Sequence, residues 1–225
     1  MHMRNKTFLI AVVLLMMPFS LRAQWRVGVI DGASYNFHAQ EVHYMIDYRF
    51  RGRPGFNAGI SGQYSFKKWL GVRADLMFTQ KNYNVTRLDT PKMNYNYLNS
   101  YLLLPIMASF SFGGDNFPLR GFANIGAYGG LWLASYRMGT EYNIVEDKQF
   151  EFAGPVEFNK EKDNRLDMGL VGGVGMELRC NKHLAVQVEA RCYYSVTSQV
   201  KEYMKVKDYR YDTTIGLQAG VYYIF

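Results

Sequence analysis

The chain has 225 residues, is 16% aromatic and 20% charged, carries a formal net charge of +7, and contains two cysteines. Its length allows one or two ordinary domains. Removing Arg4, Lys6 and Arg22, the cations of the first 23 residues, takes +7 to +4, too little for a surface that tracks nucleic-acid phosphates.

The opening, "MHMRNKTFLIAVVLLMMPFSLRAQ", places Arg4 and Lys6 ahead of an apolar run from Phe8 to Phe19, followed by small residues. Residues 1–23 read as a secretory signal peptide cut after Ala23, leaving 24–225 as the mature domain. The run is short of the ~20 residues that cross a bilayer as a helix. No cysteine follows it, which argues against a lipoprotein. No later apolar run has spanning length, so any passage through a membrane is by strands.

Eight segments alternate apolar and polar residues with a period of two: 25–35, 56–66, 70–81, 97–112, 119–136, 165–180, 184–198 and 211–225. The gaps between them alternate too. Short connections such as "KKW", "GGDNFP" and "NKH" take turns with long polar ones at 36–55, 82–96, 137–164 and 199–210. Short turns on one side and long loops on the other predict an all-β, eight-stranded, up-and-down antiparallel transmembrane barrel. Both termini are then expected in the periplasm. Pro118 falls in a periplasmic turn, and Pro105, inside a strand, predicts a bulge.

Alternation alone does not say which face is inside. The polar face is rich in glycine, serine and other small residues, which suits the narrow lumen of eight strands. Its charges nearly balance, and buried charges must be paired. The expected lumen ion pairs draw on Arg73, Asp75, Arg165, Asp167, Glu177, Arg179, Glu189 and Arg191, with Arg26 beside them. Aromatic residues near strand ends (Trp25, Tyr64, Phe66, Trp69, Tyr194, Tyr223, Phe225) fit the interfacial girdles of a membrane barrel. Cys180 and Cys192 lie on the lipid face of neighbouring strands. They stand roughly 26 Å apart at 3.3 Å per residue, far beyond disulfide reach, so two free thiols are expected.

The loop "FHAQEVHYMID" gathers His38, Glu41, His43 and Asp47, residue types that bind metal or serve a hydrolase at a barrel rim. Their spacing matches no metal motif and no activated serine accompanies them, so they read as a solvated loop. "GLVGGVG", Gly169 to Gly175, lacks the Lys-Ser/Thr of a phosphate loop. No catalytic, metal or cofactor residues are assigned, and no enzyme activity is expected.

The last eight residues, "QAGVYYIF", hold Gln218, Gly220, Tyr223 and Phe225 in a pattern that resembles the C-terminal β-signal of bacterial outer-membrane proteins. That resemblance implies strand addition to the barrel-assembly machinery during insertion. With "GFNAGISGQYSFKKWLGVRADLMFTQKNY", "NYNYLNSYLLLPIMASFSFG", "RGFANIGAYGGLWLA" and "LDMGLVGGVGMELRCNKHLAVQVEARCYYSVTS", nearly everything after residue 24 resembles the PorT family of Bacteroidetes outer-membrane barrels. In "YLNSYLLLP", Pro105 falls later than that family's aromatic–Leu–x–x–Pro strand places it. The resemblance implies an integral outer-membrane protein in contact with lipid. It also implies a role as an accessory of type IX secretion or envelope assembly, with secretion-system components as partners. Two other readings stay open: a surface adhesin that binds through its long loops, and a small-solute channel or rim hydrolase.

Overall fold

The computed structural model describes residues 24–40, 48–88, 93–113, 118–143, 145–201 and 210–225. The signal-peptide assignment and Glu41, His43 and Asp47 lie outside them. Ten strands form one antiparallel sheet: β1 (Gln24–Gln40), β2 (Tyr48–Lys67), β3 (Leu70–Gln80), β4 (Tyr83–Arg87), β5 (Asn94–Phe112), β6 (Leu119–Asn143), β7 (Lys148–Pro155), β8 (Leu166–Arg179), β9 (Leu184–Ser195) and β10 (Arg210–Ile224). β3 and β4 both pair with β2 and β5, so they are one stave interrupted at Lys81–Asn82. β7 pairs only with β6, as a hairpin beyond the wall. The wall therefore has eight staves, and β1 closes it on β10 from Arg26↔Ile224 to Gln40↔Arg210. Full closure leaves the wall itself without a free edge, and β7 is the edge strand of the hairpin beyond it.

The outer face is apolar and the inner face holds the charges. Val29, Ile125, Leu170, Val174, Met176 and Leu217 are each at least 60% exposed, whereas Arg73, Asp75 and Arg191 are 1% exposed. One side of the interior is apolar as well. β5 contributes Tyr101, Leu103 and Met107, which pack with Met77, Tyr128, Val171 and Tyr222. β5 is thus apolar on both faces. Cys180 and Cys192 are free and exposed, on the outer face as expected.

Where they are described, three of the four long polar gaps (36–55, 82–96 and 137–164) are mostly strand. β1 and β2 reach Gln40 and Tyr48, and β6 with β7 fills much of 137–164. At this end, opposite Gln24 and Phe225 and hereafter the loop end, the alternation inverts. Tyr48, Phe50, Tyr83, Val85, Tyr95 and Tyr97 line the interior, while Arg49 pairs beside Thr86 and Arg51 beside Asn84 on the outside. The outer polar row continues with Asn84↔Asn96 and Thr86↔Asn94. Outside hydrocarbon, the outer face meets water and only the inner face stays apolar. β2 makes this change with a one-residue slip between its ladders to β3 and β4. Gly52 sits at the slip, where a Cβ would overlap the Asn36 carbonyl.

Pro105 does not mark a bulge. The β5–β6 register runs through Pro105↔Tyr128 without a break. The β3–β5 ladder loses its pairings there and resumes in the same register, from Ala74↔Ile106 to Met77↔Leu103. Proline has no N–H to give, so the ladder opens locally. The bulge lies in β6 at Leu133, since Ser100 pairs with Ala134 and Tyr101 with Trp132. At the opposite end, hereafter the terminal end, the tight β8–β9 turn is held by the Asn181 side chain, which accepts from the N–H groups of His183 and Leu184 at 2.8 Å each.

Candidate functional site: a filled lumen and a vestibule above it

The lumen is filled in layers, and the middle layer is a ring of four charges. Residues two apart on a strand share a face, so Arg73 and Asp75 come from β3, and Glu189 and Arg191 from β9 on the far side of the barrel. Arg73 Nε lies 2.9 Å from Asp75 Oδ1, and its Nη1 lies 3.1 Å from Glu189 Oε2. Arg191 closes the ring with Nη1 2.8 Å from Asp75 Oδ2 and Nη2 2.7 Å from Glu189 Oε2. Asn124 and Gln218 also donate to Glu189, at 2.9 and 3.0 Å. Gly173 makes room, because a Cβ there would overlap the Glu189 carboxylate.

At the terminal end, Arg26 pairs with Glu177. Arg179 Nε lies 3.2 Å from the same carboxylate, its side chain 28% exposed at the mouth. Gln187 donates to Glu177 at 2.7 Å.

Toward the loop end the partner of Asp167 is Lys81, with Nζ 2.6 Å from Oδ2. Ser195 Oγ and Tyr128 OH donate to Oδ1 at 2.7 and 3.2 Å. The ammonium also faces the rings of Tyr101 and Tyr128 at 5.1 and 5.3 Å. Arg165, expected among the lumen pairs, is not there. β8 begins at Leu166, so the strand geometry that turns Asp167 inward does not extend back to Arg165. Its guanidinium lies over Phe158 at 4.7 Å, and its Nε donates to the Trp132 carbonyl at 2.9 Å. Lys81 was legible: the inward positions 73, 75, 77 and 79 continue to 81.

The uppermost layer centres on Asp212. His38 Nδ1 lies 2.8 Å from Asp212 Oδ1, Asn36 donates to the same oxygen at 3.1 Å, and Gln199 donates to the other. His38 stacks on Tyr83 at 4.0 Å. His38 is thus a packed lumen residue, and no group of three or more metal-ligating side chains occurs among the described residues.

Above this layer opens a vestibule of about 330 Å³, lined by Gln40, Tyr48, Phe50, Tyr83, Val85, Tyr95, Tyr97, Arg137 and Arg210. Tyr83 stacks on Tyr97 at 4.9 Å. The Arg137 guanidinium lies over Phe152 at 4.6 Å and Tyr95 at 5.6 Å. Among the described residues the lining has two guanidinium groups and no carboxylate. Sequence reasoning missed it by reading the loop-end strands as solvated gaps. The signal was present in the aromatic beat of "YRFRGR" and "NYNYL".

The four positions of the expected C-terminal signal divide between the two faces. Gln218 points inward to Glu189, and Gly220 pairs with Ile30 and Gln187. Tyr223 faces outward, stacked on His183 at 5.8 Å and edge-on to Phe225 at 5.0 Å. The Phe225 N–H donates to the Trp25 carbonyl at 3.0 Å.

No curated protein matches the chain in sequence. Among solved structures it is similar to Neisserial surface protein A, with 12% identity over 90% of this chain and 98% of that one and a TM-score of 0.46. OprG from Pseudomonas aeruginosa is 11% identical over 89% and 95%, with a TM-score of 0.48. Ail of Yersinia pestis is 14% identical over 89% and 98%, with a TM-score of 0.42. A family model described as the outer membrane protein beta-barrel domain matches residues 19–201. With an apolar exterior, a closed eight-stave wall and a match over most of its length, the chain belongs to the outer membrane protein β-barrel domain family.

Proposed function

We propose that this outer-membrane barrel is non-enzymatic and works by contact, with the loop-end vestibule as its binding surface. The filled lumen carries this reading. A solute would have to displace the ring of Arg73, Asp75, Glu189 and Arg191, whose side chains are at most 3% exposed, so little remains for a conduction path. The vestibule offers what the lumen does not: open volume, aromatic faces and two cations. In this reading the termini are periplasmic and the vestibule faces outward, as short turns at the terminal end and long connections at the loop end favour.

A second reading is a PorT-like accessory of type IX secretion, favoured by the segment-by-segment resemblance from residue 24 onward. Deletion separates the two. Loss of secreted cargo, read by mass spectrometry of supernatant and periplasm, supports the secretion role. Loss of surface attachment with an unchanged secreted set supports the adhesin-like role. In either case, Tyr95→Ala with Arg137→Ala in a folded barrel is expected to reproduce the deletion phenotype. Wild-type behaviour of that variant overturns the vestibule as the working surface.

A further inference from the structure

Asp31 lies on the outer face of β1, in the row Trp25, Val27, Val29, Asp31, Ala33, Tyr35, Phe37. It is six residues from Trp25 and six from Phe37, the aromatic residues near the two ends of that row. About 20 Å of strand separates it from each at 3.3 Å per residue, which puts it near the middle of the apolar band. Its side chain is exposed and takes part in no hydrogen bond or ion pair with the described residues. Within the apolar band it is the one charged side chain on the outer face among them, since Arg49 and Arg51 lie beyond that band at the loop end.

A lysine or arginine at such a depth can snorkel to the interface, but an aspartate is too short. In hydrocarbon a carboxyl group in either protonation state lacks a partner, and such groups are costly unless something pairs with them. The surroundings are shaped for an approach. Asp31 is flanked in register by Ala219 on β10 and Ala58 on β2, with Ala33 next along its own face. Larger side chains stand around this notch, Phe56 and Leu217 beside Ala33, and Ile60 and Val221 beside Val29. Small residues let another protein surface come close within a membrane.

We propose that the β2–β1–β10 face docks a second outer-membrane protein, whose lipid-facing surface brings a lysine or arginine to Asp31 at mid-membrane depth. A second copy of this chain does not fit. Its spanning outer face carries no cation among the described residues, and a twofold contact would set carboxyl against carboxyl. The inference is independent of the vestibule reading.

The test places a photo-crosslinking residue at Ala219 in cells. The expected result is one discrete adduct with another membrane protein, whose crosslinked peptide contains lysine or arginine. Its yield should fall about tenfold in Asp31→Leu, the change given by losing one good polar contact. Asp31→Asn keeps the side-chain shape and should also lower the yield; it carries the test if the leucine variant fails to insert. An adduct of twice this chain's mass, lipid adducts alone, no adduct, or a yield indifferent to both substitutions overturns the proposal. Purified barrels in liposomes supply the control. Asp31→Asn should unfold at a urea concentration no lower than wild type, and a lower midpoint would assign Asp31 a structural role within its own barrel instead.

Discussion

Lys81 and Arg165 show how finely a strand decides the fate of a charge. Both lie at a strand boundary; Arg165 was expected among the lumen pairs, and Lys81 was not named there. Lys81 follows the last residue of β3 in phase, so its side chain continues inward and meets Asp167 at 2.6 Å. Arg165 precedes β8 by one residue and turns to Phe158 and backbone carbonyls instead. The sequence pattern carries the phase of a strand but not the residue at which pairing begins, so the inward side chains of the strands, Lys81 included, follow from the phase, whereas the turning away of Arg165 does not. The energetic consequence is testable. Lys81→Met leaves Asp167 buried with hydroxyl donors alone and should lower stability by about 3–5 kcal/mol, read as a fall in the unfolding free energy in liposomes. Adding Asp167→Leu should recover much of that loss, because no unpaired charge then remains. Arg165→Ala should cost less than about 1 kcal/mol, as expected for an exposed contact.

At the level of whole strands, the period of two was enough to find all eight staves, and it failed where the solvent changes. In β3 the inward positions are Arg73, Asp75, Met77 and Thr79, polar but for one; in β4 they become Tyr83 and Val85. Strand pairing continues across that boundary while the polarity of the two faces exchanges, so a search for apolar-out alternation stops short at the edge of the hydrocarbon. Local register is also set by single residues. The extra residue at Leu133 puts Leu133 and Ala134 both on the outer side, between inward Trp132 and Ser135. Deleting Leu133 removes the bulge and leaves every other β6 side chain on its present face. The barrel should still insert and show its heat-modifiable folded form, with a stability change under about 1.5 kcal/mol. Deleting Ile125, in the regular part of β6, must reverse the inward and outward faces of one side of the strand, and no folded form should appear. Equal behaviour of the two deletions would show that the bulge does not set the register.

For the molecule as a whole, the sequence named the compartment and the architecture, because lipid and a closed wall impose patterns on every stave. It did not name a partner, because the contacts proposed for Arg137 in the vestibule and for Asp31 on the wall rest on single side chains; the one charge in the apolar row of β1 departs from the alternation without saying what it meets. The same division governs what the barrel conducts. Its interior combines an apolar side built on Leu103, Met107 and Tyr101 with a polar side built on β3 and β9. The middle ring pairs two arginines with two carboxylates, so it offers a permeating ion no net field and no mobile charge to exchange with. In planar bilayers the wild-type barrel should show no steady stepped conductance. Replacing Arg73, Asp75, Glu189 and Arg191 together by serine removes the ring without leaving a buried charge unpaired, and it exchanges long side chains for space that water can enter. That variant should keep the barrel and gain brief conductance steps. A wild-type barrel with a stable open level would mean that the ring yields to ions, and the contact function proposed here would give way to transport.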